Sequence, residues 1–125
     1  TAVENSNHNF ELKGIGFRAL QSDAFKALTA DATFDLILAT PPYLDGPIEN
    51  PLDYAVHGTT HFLQEFLSGA RAHLNASGKV LITYAEWGLL SQFEDLLAAN
   101  KWSSKIIDSR ASADGARVYR LYELS

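Results

Sequence analysis

Residues 34–46 read FDLILATPPYLDG, and the tetrapeptide Thr40-Pro41-Pro42-Tyr43 within them carries the clearest chemical content of the chain. Each proline fixes its own φ, removes a backbone donor and pushes the residue before it toward extended geometry. Two in series make a stiff segment whose carbonyls are not consumed by local turns. Tyr43 adds a flat ring with a hydroxyl handle, suited to stacking on a planar group. A side-chain oxygen at Thr40, a rigid carbonyl at Pro41 and a ring at Tyr43 together form a holder for a planar N–H₂ group. The oxygens accept its two protons while the ring covers its face. The plainer reading is that Pro41-Pro42 ends a strand and Tyr43 caps the core.

Other residues offer less. Asp23 opens the stretch Ala24-Phe25-Lys26-Ala27-Leu28, where it reads either as a helix N-cap or as a ligand-binding carboxylate beyond a strand. His8, His57, His61 and His73 lack metal-ligand spacing; His57 and His61 are four apart, but Gly58 and two threonines between them argue against one helix face, so no metal is expected. Glu86-Trp87 follows an apolar run and could line the same cleft as Tyr43 or simply pack. Arg110, Arg117 and Arg120 read as a solvated edge that discourages strand pairing. Gly14-Ile15-Gly16 precedes a strand-like stretch instead of following one, so it reads as a helix-end turn and not a phosphate loop.

The elements that must position these residues alternate in type. Residues 1–13 have loosely helical spacing and end at Gly14. Residues 15–21 alternate as a strand, and a short helix is expected to start at Ser22 or Asp23. FDLILA (34–39) is a near-continuous apolar run, the pattern of a parallel strand covered on both faces. Residues 44–60, with Gly46, Pro47, Pro51 and Gly58, read as a long loop. Helix-spaced Phe62, Leu63, Phe66, Leu67, Ala70 and Leu74 follow over 61–75, then an SGK turn and the buried strand VLITYA (80–85). An amphipathic helix over 89–100 stops at Asn100. WSSKIIDSRAS and ARVYRLYEL close the chain as an antiparallel pair around Asp114-Gly115. The expected fold is α/β: a three-layer, mostly parallel sheet with an antiparallel C-terminal edge. In such sheets ligands bind beyond the carboxyl ends of the strands, where Asp23 and Thr40–Tyr43 lie.

The 125 residues suit one domain, with 46% hydrophobic and 20% charged residues. There is no cysteine, hence no disulfide framework and no thiolate zinc site. No apolar run approaches the roughly 18–20 residues that span a bilayer, and no signal peptide is seen, so cytoplasmic residence is expected. A net charge of −5 is not the basic footprint of a stand-alone nucleic-acid binder. The chain has no methionine and begins at Thr1, which is read as the mark of a fragment.

At FDLILATPPY the chain resembles the class I S-adenosylmethionine-dependent methyltransferases of the small-domain kind. Their hallmark is Asn/Asp/Ser-Pro-Pro-Tyr/Phe after an FDLI-type strand. RALQSDAFKAL is similar to the family's preceding strand and its Asp, and HFLQEFLSGARAHLNASGKVLITY to its helix, turn and next strand. The resemblance implies a partial Rossmann-like domain over 1–125, S-adenosylmethionine as cofactor, and an acceptor that is a nucleic-acid base or a glutamine amide in a protein. It implies that Asp23 and the backbone N–H of Ala24 hold the cofactor's adenine. Thr40 and Pro41, stiffened by Pro42, would orient the acceptor nitrogen, and Tyr43 would stack on its plane. The methyl transfer would then rest on positioning, with no general base required.

The sequence departs from the family at three points. Position 40 is Thr, whose hydroxyl cannot imitate a paired amide donor and acceptor. The first strand and its Gly-rich cofactor loop have no counterpart, nor does the acid that would hold the cofactor ribose, since Glu4 and Glu11 lie in the helical stretch. Two functions therefore stand side by side: a fragment of an N-methyltransferase, inactive alone, and a non-catalytic α/β binding or oligomerisation module retaining that fold. With central strands missing, open sheet edges are expected to pair two copies into a homodimer.

Overall fold

The fold is described from a computed structural model covering residues 1–55, 57 and 59–125. Val56 and Gly58 lie outside the described residues, and with them the expected interruption at Gly58. Helix α1 (Ala2–Leu12) opens on a capping box: Thr1 accepts from the Glu4 backbone N–H, and the Glu4 carboxylate reaches back to the amino terminus. It closes on a Schellman turn, in which Gly14 at φ +61° and Ile15 donate to the carbonyls of Glu11 and Phe10. None of its residues is buried.

Strand β1 (Phe34–Ala39) occupies the expected residues, and helix α2 (Thr59–Gly69) with a 3₁₀ turn (Ala70–His73) follows. Leu63, Phe66, Leu67 and Ala70 are its buried residues, the i, i+3, i+4, i+7 stripe of an amphipathic helix. Strand β2 (Leu74–Ala85) begins earlier than expected. Leu74 pairs with Phe34, the register slips, and Leu36 next pairs with Lys79, so the SGK turn becomes an irregularity inside the strand. Gly78 permits this, because a Cβ there would lie 2.8 Å from the Phe34 carbonyl oxygen. Helix α3 (Leu90–Ala99) buries Phe93 and Leu97, and the hairpin β3 (Ser104–Ala111) and β4 (Val118–Leu124) turns at Gly115, φ +70°.

The sheet order is β1-β2-β4-β3. β1 and β2 are parallel, while β4 is antiparallel to both its neighbours, so β1, β2 and β3 share one direction. The fold is thus mixed α/β, with the antiparallel hairpin on one side. Val80, Ile82 and Tyr84 of β2 and Tyr122 and Leu124 of β4 face α2 and α3 and join their apolar stripes in one core. Trp102 seals it, donating its indole N–H to the Leu67 carbonyl at 2.9 Å beneath the Arg71 guanidinium.

Several expectations need correction. β1 is not covered on both faces: Leu36 and Leu38 are 51% and 69% exposed, because both packed helices lie on the opposite face. The described residues thus supply two of the three expected layers. Residues 15–21 are extended but pair with no strand. Instead Asn7 of α1 grips Ala19 at both its N–H (2.7 Å) and its carbonyl (3.3 Å), doing what a neighbouring strand would do. The expected helix at Ser22 is a turn only, since Ala24 at φ +47° cannot continue a right-handed helix. Residues 44–60 are not all loop: a 3₁₀ turn spans Asp53–Ala55 and α2 begins at Thr59. No helix among the described residues is long and apolar enough to cross a membrane.

Candidate active site at the carboxyl edge of the sheet

Because β1 and β2 run the same way, their carboxyl ends deliver Thr40–Tyr43 and Glu86–Gly88 to one edge. The start of antiparallel β4 lies there too, since Tyr119 pairs with Ala85. Pro41 is buried while Thr40 is exposed at the rim of an open cleft of about 420 Å³. Ser22, Ala24 and Phe25 form its other wall, and Phe62 and Phe66 of α2 its apolar floor. Two stretches singled out in the sequence, 22–25 and 39–40, therefore meet across one cleft.

The turn at 22–28 is held from inside. The Ser22 hydroxyl donates to the Ala24 carbonyl at 2.8 Å and accepts from the Ala27 N–H at 3.0 Å. Phe25 anchors it to the body by stacking on Phe66 and on His73, 5.3 Å and 4.9 Å between ring centroids. His73 in turn bonds the Ala32 carbonyl at 2.7 Å, so this histidine is part of the scaffold. The turn holds Ala24 at a positive φ that a non-glycine residue adopts at a cost, a feature that clusters at functional sites.

Asp23 lies beside this cleft. Its carboxylate pairs with Lys26 at 2.5 Å, and His61 stands 4.0 Å away. It lines a smaller hollow of about 250 Å³ against Glu65, Ser68 and Gly69 of α2, with Ala24 and Phe25 common to both hollows. The hydrogen bond from Lys26 holds the Asp23 carboxyl below its ordinary value, although burial opposes this. An ionised carboxylate half in solvent can accept from an amino group.

Tyr43 turns toward β2. Its hydroxyl shares a 3.0 Å hydrogen bond with Thr83, and its ring meets Tyr84 and Trp87 edge-on at 5.6 and 5.8 Å, interplanar angles 80° and 82°. Tyr119 lies 6.0 Å away, tilted at 55°. None of these rings is stacked parallel on Tyr43. Glu86-Trp87 thus packs beside Tyr43, as its position suggested. The expected solvated arginine edge is corrected: Arg120, on interior strand β4, pairs with Glu86, and Arg117 covers the Trp87 ring at 5.2 Å. Only Arg110, 83% exposed and bonded to Asp108, fits that reading.

Of the remaining histidines, His57 bonds the Pro47 carbonyl at 3.4 Å, in a loop organised by Asp53, whose carboxylate accepts from the backbone of Glu49 and Asn50. Among the described residues no three His, Asp or Glu side chains converge to hold a metal. Sequence reading missed Thr83 altogether; the signal was a lone hydroxyl on the outward face of VLITYA at the strand's carboxyl end.

No family model matches the chain, and no curated protein matches its sequence. Solved structures do match. A methyltransferase from Pyrococcus furiosus is 22% identical with a TM-score of 0.65, covering 98% of this chain and 56% of that one. A ribosomal protein L11 methylase from Lactobacillus delbrueckii subsp. bulgaricus is 22% identical with a TM-score of 0.61, covering 95% and 50%. The Thermus thermophilus 16S rRNA N2 G1207 methyltransferase RsmC, solved with AdoMet and guanosine, is 21% identical with a TM-score of 0.62, covering 98% and 28%. The chain thus spans about half the length of the first two and less of the third. What the chain shares with these methyltransferases is part of their α/β fold.

Proposed function

We propose that this chain contributes the acceptor-orienting and adenine-facing parts of an S-adenosylmethionine-dependent methyltransferase acting on a planar nitrogen. The observation that carries this is the meeting of Ala24 and Thr40 across one cleft beyond the carboxyl end of β1, the place where ligands bind in open α/β sheets. The residues fit the adenine end of the cofactor: Asp23 is ionised and half-exposed, and Ala24 beside it lines the cleft. When bound, that cofactor supplies an activated methyl group.

The chain's own residues orient. Thr40 and the Pro41 carbonyl accept the two protons of an N–H₂ group, and Tyr43, with no ring stacked parallel on it, bounds its plane. The rate enhancement comes from holding the nitrogen in line, with no base to remove a proton beforehand. The acceptor is a nucleic-acid base or a glutamine amide. Among the structural neighbours, the rRNA N2 methyltransferase supports a base as acceptor, and the ribosomal-protein methylase supports a protein. Cytoplasmic residence and pairing of two copies through the open side of β1 belong to the same proposal.

Saturation-transfer NMR with S-adenosylhomocysteine tests the cofactor side. Adenine protons should receive magnetisation from the chain and lose it in Asp23→Ala, with binding weak because no Gly-rich loop holds the rest of the molecule. No transfer at millimolar ligand would favour the second reading, a binding module that keeps the fold without the site. Thr40 in place of Asn, Asp or Ser, together with the missing Gly-rich loop, motivates that reading.

A further inference from the structure

We propose that Thr83 is a positioning residue for the acceptor holder, latching Tyr43 and through it fixing the direction of the Pro41 carbonyl. This rests on the reading of the site given above. Thr83 and Tyr43 are 40 residues apart, and their hydroxyls meet at 3.0 Å, tying β2 to the segment that leaves β1. Thr83 alternates with Tyr84 and so faces away from the helical layer, where no core packing calls for its hydroxyl. Valine would have the same shape in a strand, so the oxygen is what the position uses.

The rest of the turn after β2 serves the same segment. A Cβ at Gly88 would lie 2.6 Å from the Tyr43 carbonyl oxygen and 3.2 Å from its Cβ, so only glycine allows this close approach. Trp87 and Tyr84 bracket the ring edge-on. Between Tyr43 and Thr40 stand two prolines with fixed φ, so the segment moves as one stiff unit. A hydrogen bond at the hydroxyl of Tyr43 therefore sets where the carbonyl of Pro41 points. Without it the segment would lose its side-chain tie to β2, and its backbone, the Pro41 carbonyl included, would be free to shift relative to that strand.

The test uses the 125-residue chain with guanosine and N-acetylglutamine as planar amino and amide probes. Thr83→Val removes the hydroxyl, Thr83→Ser restores it without the methyl, and Tyr43→Phe removes the other half of the bond. Thr83→Val and Tyr43→Phe should each weaken the bound probe about fivefold, the scale of one neutral hydrogen bond. The double variant should be no weaker than either single one. Thr83→Ser should stay within about twofold of wild type, and S-adenosylhomocysteine binding should be unchanged in all. The nuclear Overhauser contact between the Tyr43 ring and the Trp87 indole should fade in Thr83→Val and persist in Thr83→Ser. A role in packing alone would lower the melting temperature in Thr83→Ser, which loses the methyl, and would spare Thr83→Val, which keeps the shape. Wild-type probe affinity in Thr83→Val, additive single effects, or an unchanged ring contact would overturn the latch. Failure of wild type to bind either probe would instead sink the proposed function, with the ring contact still deciding the latch.

Discussion

Lys26 holds the Asp23 carboxylate at 2.5 Å within a single turn, on the wall next to the cleft that Thr40 lines. The partner that keeps Asp23 ionised also competes with any amino group arriving there. Lys26→Ala should bring the Asp23 pKa up toward its ordinary 3.8 and strengthen S-adenosylhomocysteine binding by about twofold, a modest gain because the pair is solvent-exposed. The folded-state value lies below the unfolded one. The stability it gives is therefore present above about pH 4 and lost as pH falls through the depressed value. Melting curves between pH 2 and about 6 should show wild type losing more stability on acidification than Lys26→Ala. Carbon-detected NMR titration reads the carboxyl directly.

Thr40 is the residue at which this chain departs from the Asn, Asp or Ser of the tetrapeptide it resembles. It is exposed and makes no contact that its replacement would break in the core. Asparagine there offers an oxygen and an N–H₂ in one plane. Thr40→Asn should leave the melting temperature within about 1 °C and preserve or raise affinity for guanosine or N-acetylglutamine. Complete loss of probe binding would mean that the hydroxyl itself makes the contact.

How much of this was legible in the sequence depends on how far apart the deciding residues lie. β1, the Leu63–Phe66–Leu67–Ala70 stripe and the turn at Gly115 rest on local period and turn chemistry, and the structure has them in place. Residues 15–21 have strand-like alternation, yet a strand exists only with a partner, and Asn7 supplies the pairing instead. The helix expected at Ser22 failed on a single backbone angle at Ala24. Exposure of Leu36 and Leu38 is likewise non-local, because the run FDLILA does not say which of its faces the rest of the molecule will cover. At the site, the tetrapeptide announced itself by composition. Thr83 could be noticed only once the fold brought it to Tyr43.

Tyr84 offers a test of the core. It is fully buried, stacked on Phe93 at 4.4 Å, and its hydroxyl makes no hydrogen bond of ordinary geometry. Burial pushes its pKa from 10.0 up to about 12, with the Leu89 backbone offsetting only part of this and nearby Tyr43 adding to it. Tyr84→Phe should leave stability unchanged or raise it by up to about 1 kcal/mol, since it removes a buried hydroxyl that has no hydrogen bond of ordinary geometry to offset its desolvation. The folded-state value is the higher one, so wild-type stability is full below about pH 10 and falls as pH rises toward 12. Denaturant titrations at neutral and alkaline pH should show a smaller alkaline loss in the phenylalanine variant.

The open side of the sheet carries the last prediction. β1 is the end strand of the described sheet, with its outer edge unpaired, and Leu36 and Leu38 project together from the face without helices, 51% and 69% exposed. An unpaired strand with apolar side chains on one face is a template for another chain. Sedimentation velocity on the 125-residue chain should show a dimer that grows with concentration. Leu36→Lys/Leu38→Lys should shift it to monomer, because two like charges would then face each other across the pairing. The melting temperature of the monomer should change little, as neither side chain is part of the core. A wild-type chain that stays monomeric at the highest soluble concentration would mean that this face needs no second copy to cover it.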